Sequence, residues 1–178
     1  MDDFREMARD PKHRRTFEKL LWLAAKKGDA DVVAERLSWG IDPNCRSDKG
    51  TPALIANVRG YCPSAATVRA LLAAGADPAL TDAAGLTALD YARRKLARLE
   101  ARGRPKPRKS PSLDENDQLR LGPAEQAELD RMRRDHPDLD PEFFRIWWQE
   151  RLRAARRVFD DPDQVEAIVS ILEAATPD

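Results

Sequence analysis

With 178 residues the chain has room for one ordinary domain or for a short repeat array with an appendage, and little room for two independent domains. Its 31 Lys and Arg balance 31 Asp and Glu, so the net charge gives no general pull towards nucleic acid or an anionic membrane. Cys45, Cys62, His13 and His136 are too few and too scattered for a zinc site, and no apolar run reaches membrane-spanning length.

The opening stretch, MDDFREMARDPKHRR, is charged throughout and holds no apolar run of the kind a secretory signal carries, which places the protein in the cytoplasm with both thiols reduced. Asp10 before Pro11 reads as an N-cap and first helical position. Phe17, Leu20, Leu21 and Ala24 then form one apolar stripe, predicting a lengthened first helix whose open side Phe4 and Met7 would cover. Next comes DADVVAERLSWG, in which Val32, Val33 and Leu37 share a helical face and Gly40 is placed to take the left-handed conformation that closes a helix. A polar stretch, GIDPNCRSDKGTP, leads to a second short helix in TPALIANVRG. Tyr61, Cys62 and Pro63 predict a bulged turn, after which SAATVRALLAAG repeats the helical face with Val68, Leu71 and Leu72 and ends in Gly75. From there GADPALTDAAGLTA follows the same plan as the stretch at Gly40, and the two leading glycines are 35 residues apart. A period of that size marks a stacked solenoid.

These residues resemble the ankyrin repeat. Thr51, Pro52 and Ala56 match its inner-helix opening, Gly75, Ala76 and Asp77 match its GAD, Gly40, Asp42 and Asn44 match the same turn in the first copy, and Asp82, Gly85 and Thr87 match the start of the next unit. Glu35 and Arg36 depart from the family pattern, as the polar outer face of a terminal repeat does. The resemblance implies an all-α ankyrin-repeat solenoid of bacterial type with short hairpin loops, forming one domain over 1–178. Repeat 1 spans about 11–50, repeat 2 about 51–85, and repeat 3 about 86–96 plus 162–178.

The third copy is interrupted. Thr87, Ala88, Leu89 and Ala92 repeat the inner-helix motif, but the pattern runs on through ARRKLARLEAR and no second half follows. Ile168, Val169, Ile171 and Leu172 reproduce the outer-helix pattern far downstream, which predicts a helical insertion over about 97–161. Within it, RPKPRKSPS excludes helix and central strand. A polar helix, AEQAELDRMRRD, has acids first and arginines last, in accord with the helix dipole. Asp140 and Pro141 then open a helix whose Phe143, Phe144, Trp147 and Trp148 call for burial at roughly 150–250 Å² each. The preferred reading of Trp147 and Trp148 is core, and the alternative is an exposed binding anchor.

No nucleophile motif, phosphate loop or metal-ligand spacing is present in the sequence, so no catalytic residue, metal or cofactor is assigned and the protein is read as a non-enzymatic monomer. Between Arg93 and Lys109 nine cations face only Glu100. That run is read first as a solvated surface and second as a site for a polyanion or nucleic acid, while the Lys109–Ser110–Pro111 context is weak support for phosphorylation. By fold-level analogy, ankyrin arrays bind other proteins through hairpin tips and inner helices. Carried onto this chain, the partner-binding candidates are Arg46, Ser47, Lys49, Asn57, Val58, Thr81, Ala83, Ala84, Asp90, Arg93 and Arg94, with Trp147 and Trp148 in the insert. An immunity-type inhibitor of a partner enzyme is a variant of the same reading.

Overall fold

A computed structural model describes residues 6–8, 10–109, 112–116, 118–138 and 141–176. Phe4, Ser110, Pro111 and Asp140, each given a role above, lie outside the described residues. Among the described residues the fold is all-α apart from one ribbon of two short strands and two isolated bridges, and the chain divides into two compact units, one running to Pro107 and resuming at Asp160, the other Arg108–Phe159. No described helix is long and apolar enough to cross a membrane.

In the larger unit helix α1 spans Pro11–Lys27, and Asp10 accepts a hydrogen bond from the Lys12 amide at 2.9 Å, satisfying a donor the first turn leaves open. Phe17, Leu21, Ala24 and Ala25 form its buried face, whereas Leu20 is exposed. Met7, expected to cover the open side, is also exposed, and Ala8 joins the core in its place. Helix α2 (Ala30–Ser38) buries Val32 and Val33. Arg36 on it is half-buried because its guanidinium donates to the Leu20 carbonyl, while Glu35 is exposed.

Helix α3 (Ala53–Arg59) is only seven residues long, and six of them are buried because neighbours stand on three sides. Helix α4 (Ala65–Ala73) is capped by Ser64, and helix α5 (Ala88–Ala101) by a reciprocal pair in which Thr87 and Asp90 each accept the other's backbone amide. Helix α5, with 14 residues against seven, runs about two turns past the length of α3. Helices α1, α3 and α5 form one row, each against the next, while α2 and α4 form a second row against their partners. The helix that continues the second row is Pro162–Ala175, which packs on both α4 and α5 and buries Val165, Ile168 and Leu172. It is numbered α8, after the two helices of the smaller unit.

Gly40 and Gly75 take the left-handed conformation, with φ of 86° and 93°. Gly28 does so too (φ 74°), and a Cβ there would lie 2.2 Å from the Cys62 carbonyl oxygen. Only a residue without a side chain lets the α1 terminus approach the Gly60–Pro63 bend so closely. Gly28→Ala is expected to lower the melting temperature by several degrees through backbone strain and displacement of that bend, whereas Gly40→Ala, which meets nothing within 4 Å, bears the strain alone and should cost less.

The smaller unit begins with strand β1 (Arg108–Lys109), paired antiparallel with β2 (Val158–Phe159) so that Arg108 opposes Phe159. The Pro-rich run therefore does hold a strand, in a two-stranded ribbon where both members are edges and a neighbouring proline costs no ladder bond. Helix α6 (Pro123–Asp135) is capped where the Gly122 amide donates to Glu125, and α7 spans Pro141–Ala155. Arg151 ties the two helices, reaching Glu125 and Glu128 at 3.1 Å each. Leu129 and Ala155 are buried in this unit, while Phe143, Ile146 and Trp148 are exposed and Trp147 is half-buried with the Arg151 guanidinium over its ring at 5.1 Å. The core reading of Trp148 is corrected accordingly: a unit of this size cannot surround every apolar side chain on one helix.

Candidate functional site: a groove along the inner helices

The polar connections between helices are held from within. The Asp42 carboxylate accepts the Asn44 amide at 2.8 Å, and the Asn44 side chain in turn accepts the Asp77 amide at 2.8 Å. Arg46 donates to the carbonyls of Gly50 (2.8 Å) and Thr81 (2.9 Å), joining the first hairpin to the second. Asp82 accepts the Ala84 amide at 2.9 Å, the Tyr91 hydroxyl at 2.7 Å and Arg59 at 3.2 Å. The Tyr91 hydrogen bond, ahead of the backbone donors and Arg59, holds Asp82 below the usual carboxylate range, and the same bond raises the Tyr91 phenol. Hydrogen bonds from Thr87 likewise hold Asp90 low. These aspartates are fastened as turn-formers, with their oxygens already occupied.

Fixed in this way, the first hairpin and the row α1, α3, α5 enclose a groove of about 810 Å³. Trp22 lines its floor, with the indole N–H donating to the Thr51 carbonyl at 2.9 Å and Lys26 over its ring at 5.4 Å. Ala56, Arg59 and Tyr61 follow from α3 and the bend after it, then Lys95, Arg98 and Arg102 from α5. A second hollow of about 300 Å³ shares Arg59, Lys95 and Arg98 and adds Tyr91 and Arg94.

Lys95 is only 7% exposed, and its ammonium donates to the Val58 carbonyl at 3.0 Å and to the Gly60 carbonyl, closing the end of α3 where the helix leaves acceptors unpaired. Burial pushes its pKa down from 10.5 to about 8. Folded Lys95 therefore loses its proton near pH 8, while the unfolded chain keeps it to about 10.5; between those values the unfolded state binds more protons, so this residue's contribution to stability rises with pH. The unfolding free energy of the wild type, measured against Lys95→Met at pH 7, 8.5 and 10, is expected to shift progressively in favour of the wild type. A pH-independent difference would remove the buried ammonium from the account.

The candidates named from sequence separate into three groups. Lys49 and Arg94 line the hollows, Ser47 lines the larger one while accepting the Thr51 amide, and Thr81, Ala83 and Ala84 are exposed at the second hairpin. Arg46, Asp90 and Arg93 reach the surface but are committed: Arg46 to the two hairpin carbonyls, Asp90 to its cap, and Arg93 to Glu173 of α8 at 2.8 Å. Asn57 and Val58 are corrected, being 0% and 1% exposed. The Asn57 amide donates to the Ala25 carbonyl at 2.8 Å and its oxygen accepts the Ser64 amide at 3.2 Å, so it joins helices and cannot meet a partner.

Trp22, Lys26, Arg59 and Tyr61 are groove residues that sequence reading missed, while Arg98 and Arg102 entered it only as members of the basic run from Arg93 to Lys109. The signal was present in α5, where Arg94, Arg98 and Arg102 recur at steps of four and so share a face. No protein-family model matches the chain, and no curated protein matches it. The chemistry of the groove has to be argued from its own residues.

Among those, the thiol of buried Cys45 is pushed up to about 12, chiefly by burial, which leaves it protonated and a poor nucleophile. Among the described residues no three His, Cys, Asp or Glu side chains converge as metal ligands. Cations and aromatic rings dominate the lining, with Ser47, Thr51 and the carboxylates Asp48 and Asp160 among them.

Proposed function

We propose that the chain is a small ankyrin-type array that works in the cytoplasm as a non-enzymatic protein-interaction module, receiving its partner along the groove of α1, α3 and α5. The repeat reading is supported by the recurrence of the glycine-closed turns and by the two helix rows, in which α8 stands to α5 as α4 stands to α3. One observation carries the interaction reading: a continuous groove is built from three successive inner helices and a hairpin, so that a ligand lying along it touches every unit of the row. At about 810 Å³ it has the size of a ligand site.

A photo-crosslinking residue placed at Lys49 or Tyr61 tests this in cells that produce the protein. A discrete adduct is expected from both positions and none from Arg69, an exposed residue on α4 in the other helix row. Equal labelling from Arg69, or no adduct from the groove, would overturn the proposal.

A further inference from the structure

We infer that the segment this groove receives is acidic, an extended stretch of a partner protein bearing Asp or Glu at alternate positions. The inference rests on the interaction reading and names the chemistry of its ligand. Three cations of the groove are already engaged by the fold: Lys26 lies over Trp22, Arg59 binds Asp82, and Lys95 holds the end of α3. Four others, Lys49, Arg94, Arg98 and Arg102, form no ion pair among the described residues. Of the carboxylates nearby, Asp48 is bound by Arg15 at 2.7 Å, Asp82 by Tyr91 and Arg59, and Asp90 by its cap, so that Asp160, beside Lys95, is outnumbered by the cations of the two hollows. Like charges held side by side in excess of their counter-ions favour an anionic ligand and speed its approach.

Spacing makes the choice sharper. Arg94 and Arg98 stand one turn apart on α5 and Arg102 follows at its C-cap, a rise of about 6 Å per step. Side chains on one face of an extended peptide recur at about 6.6–6.8 Å, so carboxylates at every second position meet the three guanidiniums in register, each able to accept two parallel hydrogen bonds. A phosphodiester chain carries a charge at every link and cannot offer neutral residues between its anions. Single-stranded nucleic acid also needs open aromatic faces for its bases. Here Lys26 covers Trp22 and Arg59 covers Tyr91 at 4.9 Å, leaving Tyr61, 77% exposed, as the one aromatic ring of the two hollows with no cation over it among the described residues.

The test uses the full chain and three fluorescein-labelled probes: a dodecapeptide of alternating Glu and Thr, its Gln–Thr counterpart, and a twelve-residue oligothymidylate. In fluorescence anisotropy the Glu peptide is expected to bind about tenfold or more tightly than the Gln peptide, and to weaken by a similar factor between 20 and 200 mM salt. Arg94→Glu/Arg98→Glu/Arg102→Glu should reduce its affinity about tenfold or more, while reversing Lys12, Arg69 and Arg134 together should change it less than about threefold. The Arg→Gln triple variant guards against misfolding and should lose affinity with a melting curve like that of the wild type. The Trp22 indole N–H resonance should shift during the titration. Undiminished binding by the triple variants, equal binding of the Gln peptide, or tighter binding of the oligonucleotide would overturn the inference. A crosslinked adduct at Lys49 that persists in the charge-reversed protein would overturn it too, while leaving the interaction reading in place.

Discussion

Ile168→Ala is expected to lower the unfolding free energy by about 2–5 kcal/mol, the range for emptying a fully buried isoleucine site. Ile168 is 0% exposed, as are its companions Val165 and Leu172, and the helix that carries it packs on both α4 and α5. The size of the effect comes from two sources: the apolar surface returned to water and the cavity left between helices that cannot close over it. Ile146→Ala on α7 is the control, since that side chain is 49% exposed and its loss should cost less than about 0.5 kcal/mol. Chemical denaturation read by far-ultraviolet circular dichroism measures both. A cost below about 1 kcal/mol for Ile168→Ala would mean that α8 frays from the core in solution.

Asn57→Leu is expected to cost about 2–4 kcal/mol despite its gain in apolar volume. The substitution takes the acceptor from the Ser64 amide and one of two donors from the Ala25 carbonyl, which keeps the Gly28 amide at 3.0 Å; the orphaned amide carries about 1–3 kcal/mol of unrecovered desolvation, and forcing a larger side chain into a site that is 0% exposed adds to it. A local signature accompanies the global one, because the Ser64 amide loses its acceptor just where α4 begins. Hydrogen exchange at Ser64 and at the first turn of α4 should speed up before the rest of the unit is affected. If Asn57→Leu proves neutral, the amide is a passive passenger, and the join between α1, α3 and α4 rests on apolar contact alone.

The contrast between these two positions shows how far the sequence could be read. Ile168 and Leu172 announce themselves by period, and the cap at Asp10 by its place before Pro11, because those signals depend on residues near one another in the chain. Asn57 gave no such signal. A polar residue on a short helix reads as exposed, and only the crowding of α3 on three sides makes it an interior join. Arg93 and Arg94 are adjacent and chemically alike, yet one pairs with Glu173 across the seam with α8 and the other opens on the groove, a difference set by 100° of helical rotation. Trp148 shows the reverse failure, since periodicity told which residues share a face of α7 and not whether anything covers that face. The repeat family itself and the partner-binding reading stand as proposals on the same footing, carried by the groove and the paired rows.

The contact between α5 and α8 joins elements separated by residues 102–161. Closing so long a loop costs entropy that grows only logarithmically with length, so the finished protein bears it lightly. Timing is another matter. On the ribosome α5 emerges first, and at roughly 5–20 residues per second several seconds pass before its outer partner exists. Through that interval the sides of α4 and α5 that α8 covers at the end face solvent or a chaperone. The nascent chain is thus most vulnerable along the very seam that finally locks the row.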